Sequence, residues 1–240
     1  MIKVPIRWWS WPLTMAVAVA ATAVACSPAA PPTPTPVPLP DPQALIDGAV
    51  QQMEAERYIR FIFDHPVGKT PLAPGAAITR AEGVAILPDQ FQVGLDMESA
   101  GTALHLGLIS TGDTAYMTNP LSGEWARATP AQIPFKFEYI SGLVSAMLGE
   151  VSDLETVGET DLEGTSAWLV KGLTSTAALG QVIPGAQTDA HLNVEVWVDQ
   201  ASGKLLRAQM LGALVPDEDP ETVRALTLES LAEPPDISPP

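Results

Sequence analysis

The sequence predicts an α+β domain in which an antiparallel β-sheet is accompanied by a few helices. Apolar and polar residues alternate over several segments, which is typical of strands in a sheet that has one covered face. Turn-forming pairs such as Pro88-Asp89 and Ser202-Gly203 separate these segments. Helical periodicity is confined to short stretches, and the regular alternation of strands with crossover helices is missing. The pattern therefore favours α+β over a parallel α/β sheet.

The first predicted element is a helix in DPQALIDGAVQQMEAE. Asp41 is suited to the N-cap position and Pro42 to the first helical position. One face of this helix carries the apolar residues Leu45, Ala49, Val50 and Met53. A strand is predicted next in YIRFIFDH, followed by a loop in PVGKTPLAPGA.

Three later segments alternate cleanly and are predicted to be strands. Their apolar faces carry Phe91, Val93, Leu95 and Met97 in FQVGLDM, Leu104, Leu106 and Leu108 in TALHLGLIS, and Leu192, Val194, Val196 and Val198 in HLNVEVWVD. Two interruptions have helical periodicity. These are PFKFEYISGLVSAMLGE, with Leu143 and Met147, and TSTAALGQVI near Leu179.

Residues 1–25 have the organisation of an export signal. Lys3 and Arg7 precede an apolar stretch that begins at about Leu13, and no acidic residue occurs before Asp41. This stretch is too short to cross a bilayer, which requires about 20 helical residues. We therefore expect residues 1–25 to act as a signal peptide.

Cys26 is the only cysteine, and it directly follows Ala23-Val24-Ala25. Ordinary signal cleavage after Ala25 would release a soluble protein that begins at Cys26. The same residues also resemble a bacterial lipobox, with Ala23 where leucine is usual, in which the cysteine receives a diacylglyceryl group. A lone thiol in an oxidising compartment has no disulfide partner, so we favour lipidation of Cys26. Lipidation would anchor the protein to the extracytoplasmic face of the cell membrane.

Residues 26–40 are predicted to be a tether between this anchor and a folded body. The segment is rich in proline, which favours an extended polyproline helix. About 15 residues at roughly 3.1 Å each would hold the body some 45 Å from the membrane. Residues 41–240 are long enough for one domain with a substantial core.

The charge of the folded body is strongly negative. Removal of residues 1–25 takes away two of the 12 basic residues and none of the 28 acidic ones, which leaves a net charge of −18. Such a charge argues against nucleic acid as a partner.

The sequence carries no recognisable catalytic, metal or cofactor motif. His65, His105 and His191 are far apart, and HExxH, GxSxG, P-loop and dinucleotide patterns are missing. His105 lies between two leucines of a predicted strand and should point away from their apolar face. We interpret the acidic run 217–219, which two prolines flank, as a solvated turn. We therefore expect a protein that is not an enzyme.

The order of several short segments resembles the LppX/LprAFG family of bacterial envelope lipoproteins. The lipobox and proline-rich tether are followed by AEGVAILPDQFQVGL, TGDTAYMTNPLSGEWARATP and AHLNVEVWVDQASGKLLRAQMLG. The resemblance covers essentially the whole chain after the signal. It implies a strongly curved antiparallel sheet, or half-barrel, with helices on its concave face, as in the related LolA/LolB carriers.

The resemblance also implies an apolar cavity that takes the acyl chains of a lipid or glycolipid, with no catalytic residue and no cofactor. Our candidates for the cavity lining are Phe91, Val93, Leu95, Leu104, Leu106, Leu108, Leu143, Met147, Val194 and Val196. A membrane-anchored lipid carrier, with an envelope transporter as a possible partner, is the favoured function. The alternative is an envelope sensor or protein-docking module on the same fold, with a filled core and no lipid.

Overall fold

The computed structural model describes residues 38–73, 75–112, 114–129, 144, 147–177, 185–216 and 218–240. The predicted signal peptide, Cys26 and Leu143 lie outside these residues, and so does the predicted helix near Leu179 from residue 178 onward. The first two residues of that predicted helix, Thr174 and Ser175, lie in a strand, so the prediction was wrong there. Most of the tether and most of the helix predicted over 134–150 also lie outside them.

The first described element is helix α1, Pro42–Ala55. Its N-terminus is capped by Asp41, whose carboxylate accepts a hydrogen bond of 2.8 Å from the backbone N–H of Ala44. The predictions of Asp41 as the N-cap and of Pro42 as the first helical residue are both confirmed. The buried face consists of Ile46, Ala49 and Met53, with Leu45 and Val50 only partly buried beside it. The apolar face is therefore rotated slightly from the predicted one.

Twelve strands follow within the described residues. They are β1 Tyr58–Val67, β2 Thr70–Ala73, β3 Ala76–Ile86, β4 Gln90–Ser99, β5 Thr102–Thr111, β6 Ala115–Thr118, β7 Trp125–Ala128, β8 Ser152–Leu162, β9 Thr165–Ser175, β10 His191–Asp199, β11 Leu205–Leu211 and β12 Val223–Ser230. The segment predicted as a loop, residues 66–76, contains the short strand β2 together with the end of β1 and the first residue of β3, so that prediction was wrong at these residues. The strands predicted in β1, β4, β5 and β10 are confirmed.

All twelve strands belong to one antiparallel sheet, which is not closed. Its order is β7-β6-β5-β4-β3-β1-β12-β11-β10-β9-β8, and β2 pairs with the N-terminal end of β3. The sheet therefore consists of two meanders, β3 to β7 and β8 to β12, on either side of β1. The antiparallel α+β class predicted from the sequence is confirmed.

The register gives the sheet one apolar face, which we call the inner face because α1 packs against it at β8, β10 and β11. Phe61 on β1 lies opposite both Gly83 on β3 and Leu228 on β12. The same face continues to Leu95 and Leu106, which are paired across β4 and β5. Arg60, Glu82 and His105 belong to the opposite, outer face.

Two groups of buried side chains form the core of the inner face. Cluster A joins α1 and residues 144, 147, 148 and 151 to β8–β11, and it includes Val194 and Val196. Cluster B lies on β3–β5 and consists of Ala81, Ala85, Phe91, Val93, Leu95, Leu106 and Leu108. The side chains of β1 and β12 lie between the two clusters, where the space is less completely filled.

One polar prediction was wrong. Glu218 and Asp219 do lie in the turn between β11 and β12, but Glu218 is not solvated, because its side chain is only 4% exposed. It forms an ion pair with Arg224, whose side chain is 1% exposed. A buried carboxylate requires a partner of opposite charge. Glu218 can therefore be buried here because Arg224 on the next strand, β12, pairs with it.

Candidate functional site

An apolar cavity of about 60 Å³ lies between the two clusters. The side chains that line it come from α1, β1, the β3–β4 hairpin, residue 144 and β12. They are Met53, Ile59, Phe61, Ala85, Leu87, Pro88, Gln90, Phe91, Val144, Leu226 and Leu228. With Gln90 as the single polar side chain in this lining, the cavity suits a hydrocarbon group better than a polar one.

Small residues of β3 lie on the inner face, and one of them, Ala85, lines this cavity. Ala81, Gly83 and Ala85 project from the inner face, where neighbouring strands carry phenylalanine, valine and leucine. A Cβ atom at Gly83 would lie 2.3 Å from the carbonyl oxygen of Gln92 and 3.0 Å from Cζ of Phe61, so a larger residue there would force a shift. The aromatic ring of Phe61 thus lies directly against the β3 backbone.

The cavity-lining residues predicted from the sequence fall into different parts of the core. Phe91 lines the described cavity. Cluster B contains Val93, Leu95, Leu106 and Leu108, while Leu104 on the same strand is only half-buried. Cluster A contains Met147, Val194 and Val196. Phe91 thus lies at the cavity, and a role in lipid binding remains a prediction for all of the described candidates.

Most residues that line the cavity were not among the sequence candidates. Ile59 and Phe61 flank Arg60 on β1, and Leu226 and Leu228 flank Thr227 on β12, so both pairs could be placed on one strand face from the sequence. Their convergence depends on the pairing of β1 with β12, two strands at opposite ends of the domain. No local pattern specifies that pairing.

A second, smaller pocket adjoins the cavity and shares Met53, Ile59, Leu87 and Leu228 with it. Its rim is polar. The ammonium of Lys204 lies 2.7 Å from a carboxylate oxygen of Glu56 and donates a hydrogen bond of 3.1 Å to the hydroxyl of Ser230. That hydroxyl donates in turn to Glu56 at 2.8 Å. These contacts connect the C-terminal end of α1 to β11 and β12.

The pKa of Glu56 lies below its ordinary value of 4.5. Burial is the largest single influence and raises the pKa, because it disfavours the charged carboxylate. The hydrogen bonds from Lys204 and Ser230, together with the charge of Lys204, outweigh burial and lower it. Glu56 is consequently ionised at neutral pH, and the three side chains form a charge-balanced cluster.

A separate polar network is buried where β1, β2 and β12 meet. The Nε atom of Arg224 donates to the hydroxyl of Thr70 at 2.8 Å, and the same hydroxyl lies 2.7 Å from Nε2 of His65. Nδ1 of His65 lies 2.9 Å from the carbonyl oxygen of Thr79, which can only accept a hydrogen bond. The proton of the neutral imidazole is therefore on Nδ1, and Nε2 accepts from Thr70.

This network predicts a loss of stability on acidification. Burial lowers the pKa of His65 below its ordinary value of 6.5, and the charge of Arg224 lowers it further. The hydrogen bond to Thr79 and the carboxylates of Asp64 and Glu218 oppose the shift without cancelling it. The unfolded chain thus takes up a proton before the folded protein does. The contribution of His65 to stability is fully present above pH 6.5. It is lost as the pH decreases through 6.5 toward the pKa of His65 in the folded protein.

The measurement is urea unfolding between pH 7.5 and 5.5 for the wild type, His65→Gln and His105→Gln. His65 should contribute a slope of up to about 1.4 kcal/mol per pH unit, which is the limit for one proton. His65→Gln is expected to lose this slope. His105→Gln is expected to keep it, because that imidazole is exposed on the outer face beside Asp96. A wild-type slope that survives in His65→Gln would contradict this assignment.

Within the described residues, no group of three or more His, Cys, Asp or Glu side chains is arranged to hold a metal ion. The position of His105 on the outer face agrees with the sequence prediction. Its Nδ1 lies 2.9 Å from a carboxylate oxygen of Asp96 on the neighbouring strand. This pair is remote from the apolar cavity.

Comparisons with known proteins agree with the sequence resemblance. The sequence profile described as LppX_LprAFG lipoprotein matches residues 41–229, which is most of the chain. None of the curated proteins matches the sequence. Within the described residues, no helix combines the length and apolar character needed to cross a bilayer.

Two solved structures share the fold. The crystal structure of LprF from Mycobacterium bovis has a TM-score of 0.65 at 15% identity, over 85% of this chain and 98% of LprF. The crystal structure of the Mycobacterium tuberculosis lipoprotein LppX has a TM-score of 0.56 at 18% identity, over 82% of this chain and 97% of LppX. At these identities the likeness concerns the fold alone.

Proposed function

Because this chain belongs to the LppX_LprAFG lipoprotein family, we propose that it binds the acyl chains of a lipid or glycolipid and carries or presents that lipid in the cell envelope. The ligand's hydrocarbon would lie on the inner face of the sheet, in the cavity between clusters A and B. Binding by partition requires no catalytic residue, and we assign none.

The observation that carries this proposal is the apolar cavity at the junction of α1, β1, β3 and β12. It lies between two well-packed clusters, so it is a gap in an otherwise continuous apolar face. Each CH₂ group transferred from water into such a site contributes about 0.8 kcal/mol. An acyl chain of ordinary length could therefore bind tightly without any specific polar contact.

The volume of the cavity sets a condition on this function. Pockets for small molecules usually enclose about 300–1,000 Å³, whereas this one encloses about 60 Å³. A chain can enter only if the lining side chains or α1 move outward. We infer that binding moves α1 or the lining side chains outward and thereby widens this cavity.

The small volume also favours the second candidate function. A sensor or docking module with a filled core would need no ligand, and the apolar side chains of clusters A and B are already buried without one. Native mass spectrometry and lipid extraction of the full-length protein carrying Cys26→Ser distinguish the two functions. A co-purifying lipid at near-stoichiometric amount is expected for the carrier. Lipid-free protein recovered under gentle conditions would favour the sensor.

We also propose that Cys26 carries the membrane anchor and that residues 26–40 form the tether. This anchor would place the domain at the extracytoplasmic face of the membrane, within reach of an envelope transporter. The support is the lone cysteine between an export signal and a proline-rich segment.

Cys26→Ser is expected to move the protein from the membrane fraction to the soluble fraction, because the thiol that would receive the lipid is removed. Fractionation followed by immunoblotting measures the distribution, and circular dichroism confirms that the domain is folded. Ser27→Ala, at the neighbouring position, serves as the control and should remain with the membranes. Sedimentation of the Cys26→Ser protein with membranes would show that something other than Cys26 holds it there.

A further inference from the structure

The sheet has an opening between β11 and β12. Their pairing runs from Leu211–Val223 to Arg207–Thr227 and ends there. β12 nevertheless continues along β1, where its pairing extends to Ser230 opposite Ile59. Within the described strands, the last residues of β12 thus have a partner on the β1 side and none on the β11 side.

Pockets on the two faces of the sheet meet at this opening. On the outer face, a groove of about 410 Å³ is lined by β1, β12 and the turns that join β8 to β9 and β10 to β11. Phe61 and Leu228 line both this groove and the apolar cavity on the inner face. Lys204, Leu205 and Ser230 line both the groove and the smaller inner pocket. The spaces on the two faces are therefore adjacent at these residues.

The two sides of the opening differ in polarity as the two ends of an amphiphile do. The inner cavity is lined almost entirely by hydrocarbon. The outer groove presents the hydroxyl groups of Thr165, Ser202 and Thr227 and several charged side chains, beside apolar side chains such as Ile62, Leu162 and Leu206. A ligand that occupied both would keep its acyl chain inside the sheet and its head group outside.

The charges of the groove indicate which head group fits. Its cations are Arg60 and Lys204, and each already has a carboxylate partner. Arg60 lies 2.6 Å from Glu229, and Lys204 lies 2.7 Å from Glu56. The groove also contains Glu163 and Asp199, so its carboxylates outnumber its cations. An anionic head group would meet excess negative charge, both here and over the whole acidic surface. An uncharged head group could hydrogen-bond to the hydroxyls and carboxylates.

We propose that the opening between β11 and β12 is the passage through which an acyl lipid is bound, with an uncharged, hydroxyl-bearing head group in the outer groove. This inference rests on the proposed lipid-binding function. The bridge from Lys204 to Ser230 and Glu56 spans the opening and must separate for a chain to pass. Lys204 is thus a positioning residue that controls access.

The Lys171–Glu195 pair, at 2.8 Å between β9 and β10, supplies matched controls. It is a cross-strand ion pair on an exposed surface, and neither residue lines the cavity, the small pocket or the groove. Each groove substitution can therefore be compared with the same chemical change at a site outside the pockets.

The head-group test compares uptake of glucosyl diacylglycerol and phosphatidylglycerol with identical acyl chains, from phosphatidylcholine vesicles, by native mass spectrometry. Wild-type protein is expected to favour the glucosyl lipid. Glu229→Gln leaves Arg60 without its partner and should shift the ratio toward phosphatidylglycerol by about threefold, as expected for an exposed charge. Glu195→Gln should leave the ratio unchanged. An equal response to both substitutions, or a wild-type preference for phosphatidylglycerol, would overturn the head-group assignment.

The access test measures the rate of uptake of the same glucosyl lipid in stopped-flow experiments. Lys204→Gln removes the bridge and should increase this rate several-fold, whereas Lys171→Gln should not. Equal rates for these two variants would overturn the passage between β11 and β12 while leaving lipid binding itself intact. Uptake of neither lipid by the wild type would instead overturn the proposed function, and this inference with it.

Discussion

Glu218→Ala is expected to lower the free energy of unfolding by about 3–5 kcal/mol, because it leaves the guanidinium of Arg224 buried without its counter-charge. Burial lowers the pKa of Arg224, and the charge and hydrogen bond of Glu218 oppose that effect. Glu218 also accepts hydrogen bonds from the backbone N–H groups of Leu214 and Val215, at 2.5 and 3.3 Å. Its removal therefore loosens the β11–β12 turn as well.

Urea unfolding at neutral pH measures this loss. Glu98→Ala is the control, since it breaks an exposed ion pair with Lys69 and should cost less than about 1 kcal/mol. The double variant Glu218→Gln and Arg224→Met removes both charges and should recover much of the lost stability. A Glu218→Ala protein as stable as Glu98→Ala would show that the pair is solvated in the folded protein.

Ala85→Leu is expected to abolish most lipid uptake while changing the stability of the lipid-free protein by less than about 1 kcal/mol. Ala85 lines the cavity, and three additional carbon atoms at that position would occupy space that we assign to an acyl chain. Because the added atoms enter a void, few neighbouring side chains must move.

Ala81→Leu is the matched control for this experiment. Ala81 lies on the same face of the same strand, is similarly buried and also belongs to cluster B, but unlike Ala85 it does not line the cavity. The same enlargement should overpack that cluster and cost about 1–3 kcal/mol. Uptake of fluorescent fatty acid and urea unfolding give the two readouts. Undiminished uptake by a well-folded Ala85→Leu protein would contradict the placement of the acyl chain.

The parts of the fold that the sequence predicted correctly are those set by local pattern. Strict alternation in β4, β5 and β10 identified both the strands and their apolar faces. Asp41 and Pro42 fixed the start of α1, since an N-cap and a first-turn proline depend only on adjacent residues. β2 was missed because Pro71 and the surrounding turn residues mask a strand of four residues.

The cavity and the buried ion pair depend on contacts between distant parts of the chain. Ile59 and Leu228 line the same cavity only because β1 pairs with β12. Glu218 occurs in a run of acidic residues between prolines, which is typical of a solvated turn. Glu218 is buried because it pairs with Arg224, which lies on the inner face. No local signal in the sequence distinguishes that arginine from an exposed one.

The position of β1 at the centre of the sheet has a consequence for the order in which the chain can fold. β1 is the first strand to emerge, yet one of its two neighbours is β12, and the ion pair between Arg60 and Glu229 joins residues 169 positions apart. Each meander can form from local hairpins, but they cannot be joined across β1 and β12 until nearly the whole chain is available. Contacts of such long range slow folding. During that interval one edge of β1 stays unpaired and open to association with other chains, so the newly made protein is most vulnerable to aggregation just before its last strand is in place.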